Sequence, residues 1–277
     1  GISLVFLSEH GRFLARVEGP VSGNVLLRKR QYESLQKKQF VSSLVRNILM
    51  AKLRNSKNVL LRSARAEEAA GKGAFYESAR RLSELAQELE RSDDVDSMRG
   101  IEGAAATVYF ACFDHMLGEA CPFRFQARSR QPPVNEVNAA LSFAYTLLCR
   151  EMQSALETVG LDPAAGYLHT LRPGRPSLAL DMMEELRGPL ADRFVLTLFH
   201  RKQLGIEHFE QDGEAVFLNE KGRRTFLSAW QKRKGEVITH PFLNEKVQIG
   251  IIPYAQAMLF ARVLRGDLDC YPPFIWR

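Results

Sequence analysis

The stretch GYLHTLRPGRPSLALDMMEE, residues 166–185, joins a loop to a helix and holds three candidate metal-binding side chains. Glycine and proline break its first half, which predicts a loop. From Ser177 onward the stretch predicts the first turns of a helix. Asp181 and Glu184 are three residues apart, so a helix presents their carboxylates on one face. We expect the loop to fold the imidazole of His169 back onto that face.

Together these side chains form a mixed ligand set, because one imidazole nitrogen and two carboxylates suit Mn²⁺ or Mg²⁺. A metal held in this way can polarise a phosphate and activate a nucleophile. For His169 the alternative is a loop histidine that caps a helix or bonds to the backbone. For Asp181 and Glu184 the alternative is an exposed helix start, offset by Arg187 and the helix dipole. Each alternative is reasonable alone, but the three residues together beside an Arg-Pro-Gly-Arg loop favour a functional site.

Glu102 is a further acidic candidate, because small and apolar residues flank it within residues 99–106. A carboxylate in such surroundings is expensive to bury unless it is paired or binds a metal. Pairing with Arg99, or exposure at the start of a helix, is the alternative, and the residues alone slightly favour it.

The composition is that of an ordinary globular protein. Its 277 residues, 45% of them hydrophobic, suffice for one large domain or for one domain and part of another. No uncharged apolar run approaches the ~20 residues of a membrane helix, and no secretory segment opens the chain, so we expect no membrane partner. The four cysteines are widely spaced, which favours thiols in a reducing cytoplasm over a zinc site or disulfides.

The positive charges are clustered along the chain, within a net charge of +6. Residues 28–65 hold eleven Lys and Arg against one acid, and residues 221–234 hold six bases and no acid. Such segments, next to a candidate metal site, suggest a polyanionic partner. The alternative is that they are solvated helix faces.

The apolar pattern predicts a mainly α fold that begins with a β-hairpin. Residues 2–8 and 12–18 predict the strands, with a turn at residues 9–11. A lone hairpin is marginal in water and no Met opens the chain, so we expect earlier strands of a small β-domain to lie outside this sequence. The predicted helices occupy residues 25–51, 55–68, 75–91, 99–113, 134–159, 177–186, 190–202, 220–234 and 253–265, with a further hairpin turning at 211–214.

Several motifs recur together in one known family. They are Gly19-Pro20 with Gly23-Asn24, Leu27-Arg28-x-x-Gln31-Tyr32, Arg99-Gly100-Ile101-Glu102-Gly103, Pro133-x-Asn135-x-x-Asn138, Gly166-x-x-His169 and Ser177 to Glu185. In these motifs the chain resembles, nearly end to end, the CRISPR-associated protein one family, the integrase subunit of spacer acquisition. The resemblance implies that residues 1–24 are the remnant of an N-terminal β-domain. It implies that residues 25–277 form an α-helical, metal-dependent catalytic domain.

The resemblance also implies a ligand set. The family's metal ligands fall here on Glu102, His169 and Glu184, with Mg²⁺ or Mn²⁺ as the cofactor. Many members carry Asp at the last of these positions, and Glu reaches one methylene further. Asp181 falls on a second acidic position of the motif, as a further ligand or as a group that orients one.

The implied activity is that of a DNA endonuclease and integrase, which joins prespacer 3′-hydroxyls to repeat phosphodiesters by transesterification. The family works on double-stranded and branched DNA, as homodimers bridged by CRISPR-associated protein two. Some subtypes add an iron–sulfur nuclease that trims prespacers. The expected earlier strands belong to the domain through which the family mainly dimerises, so a non-catalytic DNA-binding scaffold is one alternative. A branched-DNA repair nuclease with the same site is another.

Basic residues are candidates for contacts with DNA phosphates. Those expected near the metal are Arg128, Arg130, Arg172 and Arg175. Those expected further out are Arg28, Lys52, Lys232 and Arg233.

Overall fold

The computed structural model describes residues 4–7, 13–17, 24–66, 72–129 and 131–276. The mainly α prediction is confirmed. The helices are α1 (Val25–Ser34), α2 (Lys38–Ala66), α3 (Lys72–Glu90), α4 (Val95–Ala111), α5 (Phe113–Leu117), α6 (Glu136–Thr158), α7 (Ser177–Leu186), α8 (Arg193–His200), α9 (Glu220–Lys234) and α10 (Ile252–Arg265). The strands are β1 (Leu4–Leu7), β2 (Phe13–Val17), β3 (Phe209–Asp212), β4 (Ala215–Leu218), β5 (Val237–Thr239) and β6 (Lys246–Gln248).

Strands β1 and β2 pair antiparallel, with Leu4 opposite Val17 and Phe6 opposite Ala15. The predicted hairpin is therefore present. Its predicted turn at residues 9–11 lies outside the described residues. The expectation of further strands before this hairpin stays a prediction.

Helix α2 corrects the prediction of a break near residues 52–54. One continuous helix runs over Lys38–Ala66, and the break falls earlier, between the end of α1 and Lys38. Lys52, Leu53 and Arg54 have high helix propensity, so nothing in that segment interrupts the helix. Because the helix continues, it joins the candidate metal centre to the basic residues at its carboxyl end.

Helix α7 lies at the centre of the hydrophobic core. Helix α2 packs against α3 and α4 and also against α7, while α6 packs against α7 and α10. The apolar residues Leu178, Ala179 and Met182 of α7 are fully buried between these neighbours. Burying a side chain the size of Leu stabilises the fold by about 1.5–3 kcal/mol, so α7 is held firmly in position.

A π-helix, Arg187–Asp192, follows α7 where the sequence predicted a plain helix over residues 190–202. Pro189 explains the difference, because proline lacks an N–H and its ring clashes with the carbonyl four residues earlier. That carbonyl belongs to Glu185, and Asn55 Nδ2 of α2 donates to it at 2.7 Å. Helix α8 then covers only Arg193–His200.

The C-terminal third contains two hairpins. The predicted one, β3 with β4, is confirmed, and its turn contains Gly213 in a left-handed conformation. The second, β5 with β6, was not predicted, because strands of three residues are too short to show an alternating pattern. Within the described ranges, no helix is long and apolar enough to cross a membrane.

Candidate metal centre

Asp181 organises the loop that precedes α7. The carboxylate is fully buried and accepts hydrogen bonds from the backbone N–H groups of Tyr167 (2.5 Å), Leu168 (3.0 Å) and His169 (2.9 Å). The exposed helix start considered from the sequence is therefore wrong for this residue. The carboxylate is the hydrogen-bond acceptor for three successive backbone N–H groups, a role that backbone carbonyls usually have. These bonds fix the position of His169 in the loop.

Gly166 allows the loop to come this close to α7. A Cβ atom at this position would lie 2.6 Å from Ser177 and 2.9 Å from Asp181 Oδ2. No side chain larger than hydrogen fits there without moving the backbone of α7.

The imidazole of His169 is oriented by the same carboxylate, since its Nδ1 lies 2.6 Å from Asp181 Oδ1. A carboxylate accepts hydrogen bonds, so Nδ1 donates to Asp181, and in a neutral imidazole Nε2 then offers its lone pair. His169 Nε2 lies 3.9 Å from Glu184 Oε1. The histidine and the helix carboxylate therefore face each other, as the sequence predicted.

Lys52 joins Glu102 of α4 to Glu184 of α7. Its ammonium lies 2.6 Å from Glu184 Oε2 and also contacts Glu102 Oε1. The side chain of Glu184 is 3% exposed and that of Lys52 is 12% exposed, so this pairing is largely shielded from water. Lys52 was expected further from the metal, and the structure instead places it between the two candidate ligands.

Arg99, the partner considered for Glu102, bonds elsewhere. Its guanidinium pairs with Asp96 and donates to the carbonyl oxygen of Leu168 at 2.7 Å. Arg99 therefore ties α4 to the loop that carries His169 and leaves Glu102 to Lys52.

The electrostatic surroundings of Glu184 favour its charged form. Burial alone would raise the pKa of this carboxyl, but nearby Arg187, Lys52 and His169 outweigh burial and hold the pKa well below its usual range. Arg187 Nη2 lies 3.0 Å from Glu184 Oε1. Glu184 is thus an anion with positive groups on both oxygens.

The donor set fits a divalent cation. Glu102 and Glu184 share the Lys52 ammonium, Arg187 pairs with Glu184 alone, and the His169 imidazole faces Glu184. Oxygen ligands with one imidazole suit Mg²⁺ or Mn²⁺. In the part of the chain that the structure describes, no three His, Cys, Asp or Glu side chains already stand at the spacing of a metal site. The Lys52 ammonium lies where a metal cation would contact both carboxylates.

A layer of aromatic and charged groups supports the centre from the side of α6. The guanidinium groups of Arg187 and Arg128 lie 4.9 Å and 5.3 Å from the centre of the Tyr145 ring, and the Tyr145 hydroxyl donates to Asp192 at 2.6 Å. Tyr109 donates to the other oxygen of Asp192 at 3.0 Å. Burial raises the pKa of Asp192 to about 6. Arg128, predicted as a phosphate contact, is thus partly buried against Tyr145.

The other predicted DNA contacts are spread over the surface. Exposed Arg172 and half-buried Arg175 lie in the turn after His169, where the Arg175 N–H donates to the Arg172 carbonyl at 3.0 Å. Arg28 donates to the carbonyl of Gly160 at 3.2 Å. Arg130 lies outside the described residues, and Lys232 and Arg233 lie near the end of α9.

Sequence reasoning missed three contributors to the centre. Lys52 was assigned elsewhere, and neither Tyr145 nor Asp192 was singled out. The pairing of Arg187 with Glu184 could be predicted locally, because the two residues are three positions apart and share a helix face. No local signal marks the rest, because their contacts join residues 47 to 132 positions apart.

Comparison with known proteins identifies the family of this chain. Residues 1–232 match the family described as CRISPR associated protein Cas1. This chain belongs to the Cas1 family. A CRISPR-associated endonuclease Cas1 of Moorella thermoacetica is 50% identical, over 99% of this chain and 81% of its own length. One of Rhodospirillum rubrum is 48% identical, over 100% of this chain and 82% of its own length.

A third relative from Rhodospirillum rubrum is a fusion of a CRISPR-associated exonuclease Cas4 with an endonuclease Cas1. It is 34% identical, over 99% of this chain and 47% of its own length. Among solved structures, a casposase bound to an integration product has a TM-score of 0.85 at 20% identity, covering 99% of this chain and 75% of that one. A chain of a partial Cas6-RT-Cas1–Cas2 complex has a TM-score of 0.81 at 21% identity, covering 100% and 81%. These structures share the Cas1 fold.

Proposed function

We propose that this chain is a divalent-metal-dependent DNA endonuclease and integrase of CRISPR adaptation. The observation that carries the proposal is the convergence of Glu102 and Glu184 on one positive charge, with His169 Nε2 facing Glu184. This donor set stands in a chain whose 50% identical relative is named an endonuclease. Mg²⁺ or Mn²⁺ is the proposed cofactor.

Glu102, His169 and Glu184 would hold the cation, and Asp181 would orient His169 from behind. When bound, such a cation polarises a phosphate and activates an oxygen nucleophile. The residues around it supply the rest of the site. Lys52, whose side chain is 12% exposed and whose ammonium contacts both carboxylates, would neutralise charge that develops on a phosphate oxygen.

The proposed reaction is a transesterification at phosphorus. A 3′-hydroxyl of one DNA strand attacks a phosphodiester of the other, forming a new P–O bond. The bond from phosphorus to the departing 3′-oxygen breaks, and the proton of the attacking hydroxyl balances the charge on that oxygen through solvent. With water as the nucleophile the same site cleaves DNA. Arg172 and Arg175, in the turn that follows His169, would bind the strand through its phosphates.

We further propose partners for this activity. The fold is shared with a chain in a complex that contains Cas2, and a relative is fused to Cas4. These similarities support CRISPR-associated protein two as a partner and a Cas4-type iron–sulfur nuclease as a second one. We also propose that the chain pairs with a second copy of itself. It would act on double-stranded and branched DNA in the cytoplasm.

The test is Mn²⁺-dependent strand transfer on a branched DNA that mimics the half-site intermediate. We expect the native chain to be active and the Glu102→Ala, His169→Ala and Glu184→Ala variants to lose activity by at least about a hundredfold. Activity that persists in chelator, or in all three variants, would exclude the proposal. Salt-sensitive DNA binding without any chemistry would favour the scaffold alternative instead.

A further inference from the structure

The motif over residues 27–32 lies on α1, a helix that has no part in the proposed chemistry. The buried residues of α1 are Leu27, Gln31 and Ser34, which share one face of the helix at spacings of four and three positions. Two of these three side chains are polar. A buried polar side chain is unfavourable unless it is hydrogen-bonded, and apolar side chains would serve simple packing as well. The polar face therefore indicates that α1 makes specific contacts.

These contacts are made to the loop that carries His169. The side chain of Gln31 is fully buried and holds the backbone of Asp162 by two hydrogen bonds. Its Nε2 donates to the Asp162 carbonyl at 2.8 Å, and its Oε1 accepts from the Asp162 N–H at 2.9 Å. A neighbouring β-strand offers one residue the same pair of bonds. The described residues 159–176 contain no helix or strand, so Gln31 supplies the partner that regular structure would otherwise give.

A second contact lies five residues further along the loop. Ser34 Oγ donates to the carbonyl of Gln31 at 2.6 Å and lies 2.7 Å from the hydroxyl of Tyr167. Because the single hydroxyl proton of Ser34 points to that carbonyl, Tyr167 donates to Ser34. The ring of Tyr167 packs edge-on against Phe260 of α10, with the ring centres 5.7 Å apart. Helix α1 therefore holds the loop at two points, the second of them two residues before His169.

The same stretch of the loop is also bonded to α7. The carbonyl oxygen of Pro163 accepts from the N–H of Leu178 at 2.8 Å, and Pro163 directly follows the residue that Gln31 holds. At Tyr167 the hydroxyl bonds to α1, while the backbone N–H donates to Asp181 of α7 at 2.5 Å. Each contact with α1 thus lies at or next to a contact with α7. The loop is held by both helices.

We propose that Gln31, assisted by Ser34, is a positioning residue for His169. By holding residues 162–167 against α7, the two side chains keep His169 Nε2 facing Glu184, 3.9 Å from Oε1. Gln31 is fully buried, so it acts through the loop and not by contact with a substrate. This inference rests on the proposed function, because a bound cation is what makes the position of His169 matter.

The experiment replaces Gln31 with Met, which has a similar length but cannot form the two strong hydrogen bonds. Gln39→Met makes the same chemical change at an exposed position of α2. Phe226→Leu, in the buried face of α9, is the control for a general loss of stability. Ser34→Ala is a milder change of the same contact, and it tests the proposal even if Gln31→Met folds poorly.

Amide hydrogen exchange in metal chelator is the first measurement. We expect exchange in residues 162–169 to accelerate by about tenfold or more in Gln31→Met and by about threefold in Ser34→Ala, in both cases by more than exchange in α9. Gln39→Met should match the native chain, and Phe226→Leu should show the larger acceleration in α9. Equal acceleration in the loop and in α9 for both α1 variants, or none in the loop, would overturn the proposal.

Mn²⁺ binding is the second measurement. Calorimetry gives the affinity, and the nitrogen coupling in the electron spin-echo spectrum of bound Mn²⁺ reports an imidazole nitrogen on the metal. We expect Gln31→Met to weaken Mn²⁺ binding by about tenfold and to shift the coupling toward that of His169→Ala. The folded fraction of Phe226→Leu should keep the native affinity and coupling. Native values in both α1 variants would show that they do not position His169.

Failure of this inference is separable from failure of the proposed function, because exchange is measured without metal. If exchange in the loop rises as expected while His169→Ala retains strand transfer, the positioning role stands and the proposed function is wrong. If exchange and Mn²⁺ binding stay native-like in Gln31→Met and Ser34→Ala while His169→Ala abolishes strand transfer, the positioning role is wrong and the proposed function stands.

Discussion

His169 Nδ1 lies 2.6 Å from Asp181 Oδ1, on a carboxylate that also accepts three backbone N–H groups from residues 167–169. With four donors around it, this carboxylate serves to orient its neighbours and has little capacity left to bind a metal directly. Of the two roles that the sequence left open for Asp181, the geometry favours the orienting one.

Replacing Asp181 with Asn tests this role. An amide has one oxygen and an NH₂ group, so it cannot accept from all four donors, and some buried N–H groups lose their partner. We expect the free energy of unfolding to fall by about 2–4 kcal/mol, measured by urea denaturation. Mn²⁺ affinity, measured by calorimetry, should fall as well, by about 10–100-fold. Asp267→Asn, on the exposed surface, is the control and should change neither quantity; native-like values for Asp181→Asn would refute the orienting role.

Gly166→Ala tests the close approach of the loop to α7. The added methyl would lie 2.6 Å from Ser177, so the loop or the helix must shift. Overpacking of this kind costs about 1–3 kcal/mol, which a thermal unfolding scan detects. Gly73→Ala in α3 is the matched control, because a Cβ there meets nothing within 4 Å, and it should be neutral or slightly stabilising. Equal melting temperatures for the two variants would show that the approach is not tight.

Lys52→Gln tests whether the ammonium occupies the place of the cation. Removing it leaves Glu102 and Glu184 without the charge they share, so we expect Mn²⁺ to bind more tightly in the absence of DNA, by about tenfold or more. Strand transfer should nevertheless fall, since a positive group near the phosphate is lost. Lys57→Gln removes one charge from the same helix without touching either carboxylate. If it raises Mn²⁺ affinity as much, the effect is only one of net charge.

We expect the Asp192→Asn variant to differ from the native chain in how its free energy of unfolding depends on pH. Burial raises the pKa of Asp192 to about 6, above the value of about 4 expected in the unfolded chain. The folded state therefore holds a proton that the unfolded state has released, and stability falls as pH rises from about 4 to about 6. This change amounts to roughly 2–3 kcal/mol. Urea denaturation across this range should show a smaller decline for the variant than for the native chain, and equal slopes would contradict the assignment.

Local features of the sequence were sufficient to predict α7 and the loop before it. The helix begins at Ser177 and ends at Leu186, as predicted, because glycine and proline mark the loop and the acidic face has helical spacing. Two helix N-caps are equally local in origin. Asn219 and Asp94 accept hydrogen bonds from backbone N–H groups at the start of α9 and α4.

Tertiary contacts decided the rest. The meeting of Lys52 with Glu184 joins residues 132 positions apart, and no periodicity in either helix indicates it. The π-helix depends on Pro189 together with Asn55, which bonds the carbonyl that proline displaces. The predicted break near residue 52 separated Lys52 from Arg62. In the structure both residues belong to the same continuous helix, α2.

Anomalous diffraction from crystals grown with Mn²⁺ tests the central claim most directly. We predict a manganese peak within about 2 Å of oxygens of Glu102 and Glu184 and of His169 Nε2, with the Lys52 ammonium moved away from both carboxylates. The same crystals of His169→Ala should show a weaker peak or none. A peak bound to other residues, or Lys52 still between the two carboxylates with manganese absent, would contradict the account.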